Sequence, residues 1–305
     1  MDYIINAIRG FCMALADSVP GVSGGTIAFI MGFYDKFINS LDGIIYGNKE
    51  EKKKAVLFLI KVGIGWVIGM IGAVLILTSL FESKIYAVSS VFMGFIVFAI
   101  PLIIKEEKEC LKGKYINLIF TLIGIAVVVL ITFFNPVTGE ANVVDISNLT
   151  FGLGAYIFVS AMIAISAMVL PGISGSTLLL IFGLYMPIIS SIKEVLHFNF
   201  EYLPAIIVFG LGVLAGIALV IKGIKVALKK FRSQTIYCII GLMIGSLYAI
   251  VMGPTTLEVP QAAMTFGTFS IVFFLVGGAV IIGLEFLKRY LEKKQIEKQQ
   301  CERSV

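Results

Sequence analysis

Two copies of one short phrase hold the residues best suited to chemistry. Pro20-Gly-Val-Ser-Gly-Gly-Thr26 and Pro171-Gly-Ile-Ser-Gly-Ser-Thr177 lie 151 residues apart, and each interrupts an apolar stretch. Proline and glycine are unfavourable inside a helix, and in lipid every freed backbone group needs a partner. Serine and threonine after such a break cap the helix that follows. Its first N–H groups and partial positive charge suit an anion, and glycines let that anion approach the backbone. Ser23, Gly24, Gly25 and Thr26, with Ser174, Gly175, Ser176 and Thr177, are therefore expected to hold a phosphate or carboxylate. The plain alternative is that the glycines serve only a tight turn and close packing.

Two charges stand beside the first copy alone. Arg9 and Asp17 precede it within the same apolar arm, whereas the matching positions of the second copy are Ser160 and Met168. Charges inside membrane segments are costly and usually functional. Arg9 suits the counter-charge of an anionic headgroup, or else snorkels to the surface. Asp17 sits at the end of its half-helix, three residues before Pro20. It is placed to take up a proton or help hold a cation during transport, or to pair with Arg9 or Lys61. Trp66, the only tryptophan, reads as an interface anchor or a packing residue.

Other chemistries find little support. The single histidine, His197, provides no cluster for catalysis or metal binding, and Cys12, Cys110, Cys238 and Cys301 have no paired or metal-type spacing. Lipid-phosphatase chemistry of the histidine type needs that nucleophile amid arginines, so no enzyme, metal or cofactor is expected. The net charge of +5 does not point to nucleic acid, because the basic residues sit in short loops and a tail.

The elements that must position the two phrases are membrane helices. Of 305 residues, 59% are hydrophobic and 14% charged, with mean hydropathy +1.01, a balance that marks a polytopic membrane protein. The N-terminus lacks a leading basic region and a cleavage site, so it reads as retained. Uninterrupted apolar segments are expected to span at 55–80, 86–104, 115–134, 202–224, 235–253 and 266–287. Segments 3–40 and 151–192 carry the phrases at their centres, and each reads as two short arms of a hairpin that dips into the bilayer and returns.

Loop charge bears on the topology. Nineteen of the 24 lysines and arginines fall in 41–54, 105–114, 222–234 and the tail 288–305. The connections 81–85, 135–150, 191–201 and 254–265 hold only Lys84 and Lys193. The positive-inside rule puts the four basic regions, and both termini, in the cytoplasm. That arrangement requires each phrase-bearing segment to return to the side it came from.

The repeat extends beyond the phrases. Residues 20–41 and 171–192 share 10 identities in 22 positions, and Gly63, Gly65, Gly69 and Gly94 align with Gly210, Gly212, Gly216 and Gly241 at an offset of 147. The expected fold is all-α and polytopic, with a first repeat 1–134, an extracellular linker 135–150, a second repeat 151–287 and a basic cytoplasmic tail. Each repeat is a re-entrant hairpin plus three spans. Three is odd, so the second repeat enters the membrane inverted, and the two tips should meet near the midplane, as in many secondary transporters.

Arg9-Gly10 with Asp17-Ser-Val-Pro-Gly-Val-Ser-Gly-Gly-Thr-Ile-Ala-Phe-Ile-Met-Gly-Phe-Tyr34, and Ala167-Met-Val-Leu-Pro-Gly-Ile-Ser-Gly-Ser-Thr177 with Gly183-Leu-Tyr185, resemble the signatures of one bacterial membrane family. Its members, once catalogued as a domain of unknown function, are described as polyprenyl-phosphate transporters or undecaprenyl-phosphate translocases. Ser176-Thr177-Leu178 departs from that family's pattern, which more often has an apolar residue after the serine. The resemblance covers nearly the whole chain. It implies a substrate, the monophosphate form of the undecaprenyl lipid carrier, returned from the outer to the cytoplasmic leaflet of the bacterial cell membrane for reuse in cell-wall synthesis. Proton or sodium coupling fits Asp17. A carrier of small soluble anions could use the same tip site; an apolar groove beside the tips would favour the lipid.

Overall fold

The structure, a computed structural model, describes residues 2–17, 23–133, 146, 149–196, 198–256, 261–283, 285 and 286. Pro20 and Gly21 of the first phrase, most of the linker 135–150, His197 and the tail 288–305 lie outside the described residues, as does the side chain of Ser176. Within them the chain is all-helical, without a strand. Six segments are long and apolar enough to cross a membrane: Lys49–Gly72, Lys84–Glu106, Tyr115–Phe133, Phe151–Val169, Phe200–Lys230 and Arg232–Thr255. The chain is a polytopic membrane protein.

The first half of the chain opens with α1 (Asp2–Asp17), α2 (Gly24–Ile30) and α3 (Tyr34–Tyr46). Next comes α4 (Lys49–Glu106), started by a capping box in which Asn48 and Glu51 satisfy each other's backbone N–H. After α5 (Lys108–Leu111), α6 (Leu118–Phe133) ends the half. The second half contains α7 (Phe151–Val169), α8 (Gly175–Ile181), α9 (Tyr185–Leu196), α10 (Leu203–Lys230), α11 (Arg232–Met252) and α12 (Ile271–Gly283).

Four features differ from the sequence expectation. Residues 81–85, expected as a connection, are helical, and the bend in α4 is confined to Lys84 (φ −142°, ψ 35°). The arm α7 is not short: its 19 residues extend about 28 Å, enough to cross the hydrocarbon by length. Each returning arm breaks a second time, at Gly32 (φ 68°) and Gly183 (φ 65°). Those two glycines are 151 residues apart, and the left-handed backbone they adopt is open to glycine at little cost. The last span begins at Ile271 and not at the expected 266.

Glycines set the helix pairs, and they do so twice. A Cβ on Gly65 would lie 1.8 Å from the carbonyl of Ala7, and one on Gly69 would lie 2.7 Å from that of Phe11. In the second repeat a Cβ on Gly212 would lie 2.4 Å from the Phe158 carbonyl, and one on Gly216 would lie 2.6 Å from that of Met162. Ala7 and Phe11 align with Phe158 and Met162, so α1 on α4 and α7 on α10 are the same close contact of small residues. Gly94 meets Phe274 of α12, while its aligned partner Gly241 meets Thr121 of α6. Each half's third long helix therefore packs on the other half's second, and the halves interlock. Helix α11 is central: 67% of its most apolar window is buried, against 22–39% for the other spans.

Candidate functional site

The two breaks touch. Breaking a helix at Leu170–Ser174 leaves backbone groups unpaired in a region without water, and side chains of the first hairpin satisfy them. Ser23 Oγ donates to the Met168 carbonyl at 3.0 Å. Tyr34 OH donates to the Val169 carbonyl at 3.1 Å, and the N–H of Gly172 donates to Thr26 Oγ1 at 2.7 Å. Ser23 and Thr26 are each only 1% exposed, so these bonds are shielded from competing water. Glycine permits the approach: a Cβ on Gly25 would lie 2.9 Å from the Val169 carbonyl.

The start of α2 is already occupied, by a carboxyl group of the chain itself. Ser23 is the N-cap, its Oγ accepting the Gly25 N–H at 3.1 Å. The N–H groups of Thr26 and Ile27 bond to the Ser23 carbonyl at 2.9 and 3.4 Å. The remaining N–H, that of Gly24, donates to Asp17 Oδ1 at 2.7 Å. A Cβ on Gly24 would lie 2.8 Å from Asp17 Oδ2, so only glycine leaves room for the carboxylate. The indole Nε1–H of Trp66, on α4, donates to Asp17 Oδ2 at 3.0 Å. A carboxylate held by an amide at a helix start and by an indole is a common physical solution for a charge away from bulk water.

Asp17 forms no ion pair among the described residues. Lys61 instead lies over the Tyr3 ring at 3.8 Å. Arg9 donates to Asn6 Oδ1 at 3.0 Å and has its guanidinium 4.8 Å from the Phe33 ring centre. It is eight residues before Asp17, about 12 Å along the helix, so it lies away from the tip, beside the second break of the returning arm. At the other tip, Ser174 is buried and its carbonyl accepts the Leu178 N–H at 3.4 Å. Gly175 allows α8 to approach α7, with the Ala164 carbonyl 3.0 Å from a Cβ placed there. Thr177 is half-buried.

The sequence reads Trp66 only as an interface anchor or a packing residue, and Tyr34 is not singled out there. Tyr34 had a signal, because it aligns with Tyr185 in the duplicated stretch. Trp66 had a subtler one: its aligned position is Val213 and that of Asp17 is Met168, so the second repeat lacks both members of the pair.

Beside the first tip lies a cavity of about 520 Å³ with almost purely apolar walls. Cys12 and Leu15 come from α1, Ile27, Ile30 and Met31 from α2 and its end, and further walls come from α4 and α12. Among the described residues that line it, Lys84 is the charged one. A second, polar cavity of about 80 Å³ lies among Tyr34, Asp35, Glu106, Glu107 and Arg232. There Arg232 Nε donates to Glu107 Oε2 at 2.9 Å and Nη1 donates to Asp35 Oδ2 at 3.1 Å, an ion-pair cluster that joins α3 of the first repeat to α11 of the second.

Residues 13–268 match the VCA0040-like family, described as undecaprenyl phosphate translocase-like. A polyprenyl-phosphate transporter of Staphylococcus aureus (strain NCTC 8325 / PS 47) is 34% identical over 280 residues, covering 92% of this chain and 95% of the relative. A polyprenyl-phosphate transporter of Vibrio cholerae serotype O1 is 27% identical over 326 residues, covering 96% and 98%. No solved structure matches the chain.

Proposed function

Because the chain belongs to the VCA0040-like, undecaprenyl phosphate translocase-like family, we propose that it is a transporter of polyprenyl phosphate. In this reading it moves undecaprenyl phosphate from the outer to the cytoplasmic leaflet of the bacterial cell membrane, for reuse in cell-wall synthesis. The observation that carries a lipid over a small soluble anion is the apolar cavity against Cys12, Leu15, Ile27 and Ile30. Its walls bracket the Asp17–Ser23 tip in sequence. A soluble anion has no use for such a wall, whereas an isoprenoid chain attached to a phosphate does.

The physical task is to move the phosphate, since the tail stays in apolar surroundings throughout. Taking an unshielded ion into hydrocarbon costs on the order of tens of kcal/mol. In the proposed mechanism the two hairpins form an inverted repeat whose touching tips stand near the midplane. The phosphate exchanges with the Asp17 carboxylate at the start of α2, where the Gly24 N–H and the Trp66 indole point. Ser23, Thr26, Ser174, Gly175, Ser176 and Thr177 reorganise around it as the tips part. Asp17, displaced, takes a proton or a sodium ion, which couples transport to that ion. Arg9 receives the phosphate on the cytoplasmic side. Rocking of one repeat against the other exposes the site alternately.

The test is reconstitution into vesicles carrying labelled undecaprenyl phosphate in one leaflet. Protein-dependent movement to the other leaflet is expected, with Asp17→Asn removing its pH or sodium dependence. Uptake of inorganic phosphate with no lipid movement would overturn the lipid reading. An Asp17→Asn protein with unchanged pH and sodium profiles would overturn the coupling alone.

A further inference from the structure

The apolar cavity has a charged end, and that end is on one side of the molecule only. Lys84, Ala87, Val88, Val91, Phe92 and Phe95 all line it. Their spacing puts them on one face of the helix that follows the bend in α4. The stripe covers eleven residue steps, about 16 Å, or roughly half the hydrocarbon thickness of a bilayer. Lys84 begins the span that ends at Glu106, so it lies at the opposite end from the basic loop 105–114. The far wall, Ile27 and Ile30 of α2, begins one residue past Thr26 at the tip.

Lys84 is exposed, and it forms no ion pair among the described residues. The repeat does not require it, because the aligned position of the second half is Phe231. An ammonium at the rim of an otherwise apolar trough complements a molecule with one anionic end and a long apolar body. A soluble anion would gain nothing from the trough, and a neutral lipid nothing from the ammonium.

We infer that Lys84 is the phosphate-capture residue for a polyprenyl monophosphate, and that the cavity below it takes the headgroup-proximal isoprene units. This rests on the transport reading above and deepens it. Lys84 draws the phosphate from the outer leaflet by charge attraction, the first isoprene units settle along Val88, Val91 and Phe95, and the stripe leads toward the tip. The remaining chain stays in the bilayer. Lys84 positions the substrate and does not hold it at the tip, so its loss should act on the half-saturating substrate level more than on the maximal rate.

The experiment uses the full chain in vesicles, with undecaprenyl phosphate as substrate and a short-chain, water-soluble prenyl phosphate as competitor. Lys84→Arg keeps the charge and should stay near wild type. Lys84→Gln should raise the half-saturating level about tenfold, and Lys84→Glu more, as expected when a charge at the rim of a binding surface is removed or reversed. Added salt should weaken wild-type capture and leave Lys84→Gln unaffected. Val88→Trp, which fills the trough, should slow undecaprenyl phosphate and weaken competition by the short-chain prenyl phosphate, whose first isoprene units would use the same trough. Rescue by arginine together with the salt response separates capture from a folding defect. A wild-type protein that moves no undecaprenyl phosphate overturns the transport reading and this inference with it. An active wild type whose Lys84→Glu and Val88→Trp variants match it overturns this inference alone.

Discussion

Ser23 does three things at once, and each is a separate physical requirement. Its Oγ caps α2 through the Gly25 N–H, and it satisfies the Met168 carbonyl across the tip; its carbonyl accepts the N–H groups of Thr26 and Ile27. Losing a serine cap costs about 1 kcal/mol, and leaving a buried carbonyl without its donor costs about 1–3 kcal/mol more. Ser23→Ala should therefore lower stability by about 2–4 kcal/mol, measured by melting of the purified protein, whereas Ser23→Thr, which keeps the hydroxyl, should lose much less. A loss below 0.5 kcal/mol for alanine would show that the tip contact contributes little. Trp66 supplies a second readout. As the only tryptophan, with its indole bonded to Asp17, its emission reports on that carboxylate directly. Undecaprenyl phosphate should change the emission of the wild type, and Asp17→Asn should abolish most of the change. An identical response in both proteins would count against exchange between phosphate and carboxylate at α2.

At the scale of elements, the paired helices make a sharper claim than a shared motif does. Gly65 and Gly212 each leave no room for a Cβ against a carbonyl of the neighbouring helix, while Gly63 and Gly210 face open space with nothing within 4 Å. Gly65→Ala and Gly212→Ala should each destabilise by about 1–3 kcal/mol through overpacking. Gly63→Ala and Gly210→Ala should be neutral or stabilise by about 0.5–1 kcal/mol, because alanine is the better helix former. Thermal or denaturant unfolding of the four single variants distinguishes the two pairs. Equal effects at all four positions would mean that the glycines are not the contact points of α1 on α4 and α7 on α10.

Across the whole molecule, the halves are held together at separate levels. The tips bond through Ser23, Thr26 and Tyr34, the third long helices cross between halves, and Arg232 ties α11 to Glu107 and Asp35. The last of these is partly open to solvent, with the Arg232 side chain 39% exposed, so its ion pairs are screened. Arg232→Ala should cost no more than about 1 kcal/mol of stability. Its larger effect should be on transport rate, because under the proposed rocking mechanism a cluster joining α3 and α4 to α11 would be strained. A large stability loss with unchanged transport would make the cluster a structural fastener only.

The sequence by itself determined the class and the duplication, because hydropathy over helix-length windows and repeated Gly, Pro, Ser and Tyr positions are local properties. It also singled out Asp17 and Ser23 as unusual residues. It could not say what they touch. Asp17 was weighed against Arg9 and Lys61 as partners because opposite charges attract, but its partners are a backbone amide and an indole 49 residues away. The hydroxyls of Ser23 and Thr26, read as helix caps at a site for an anion, also reach a carbonyl and an amide 145 and 146 residues distant. Those pairings come from how two broken helices meet, and no spacing within one segment encodes them. The apolar trough beneath Lys84 is of the same kind: its walls come from α1, α2, α4 and α12, and only their packing puts a lysine at its rim.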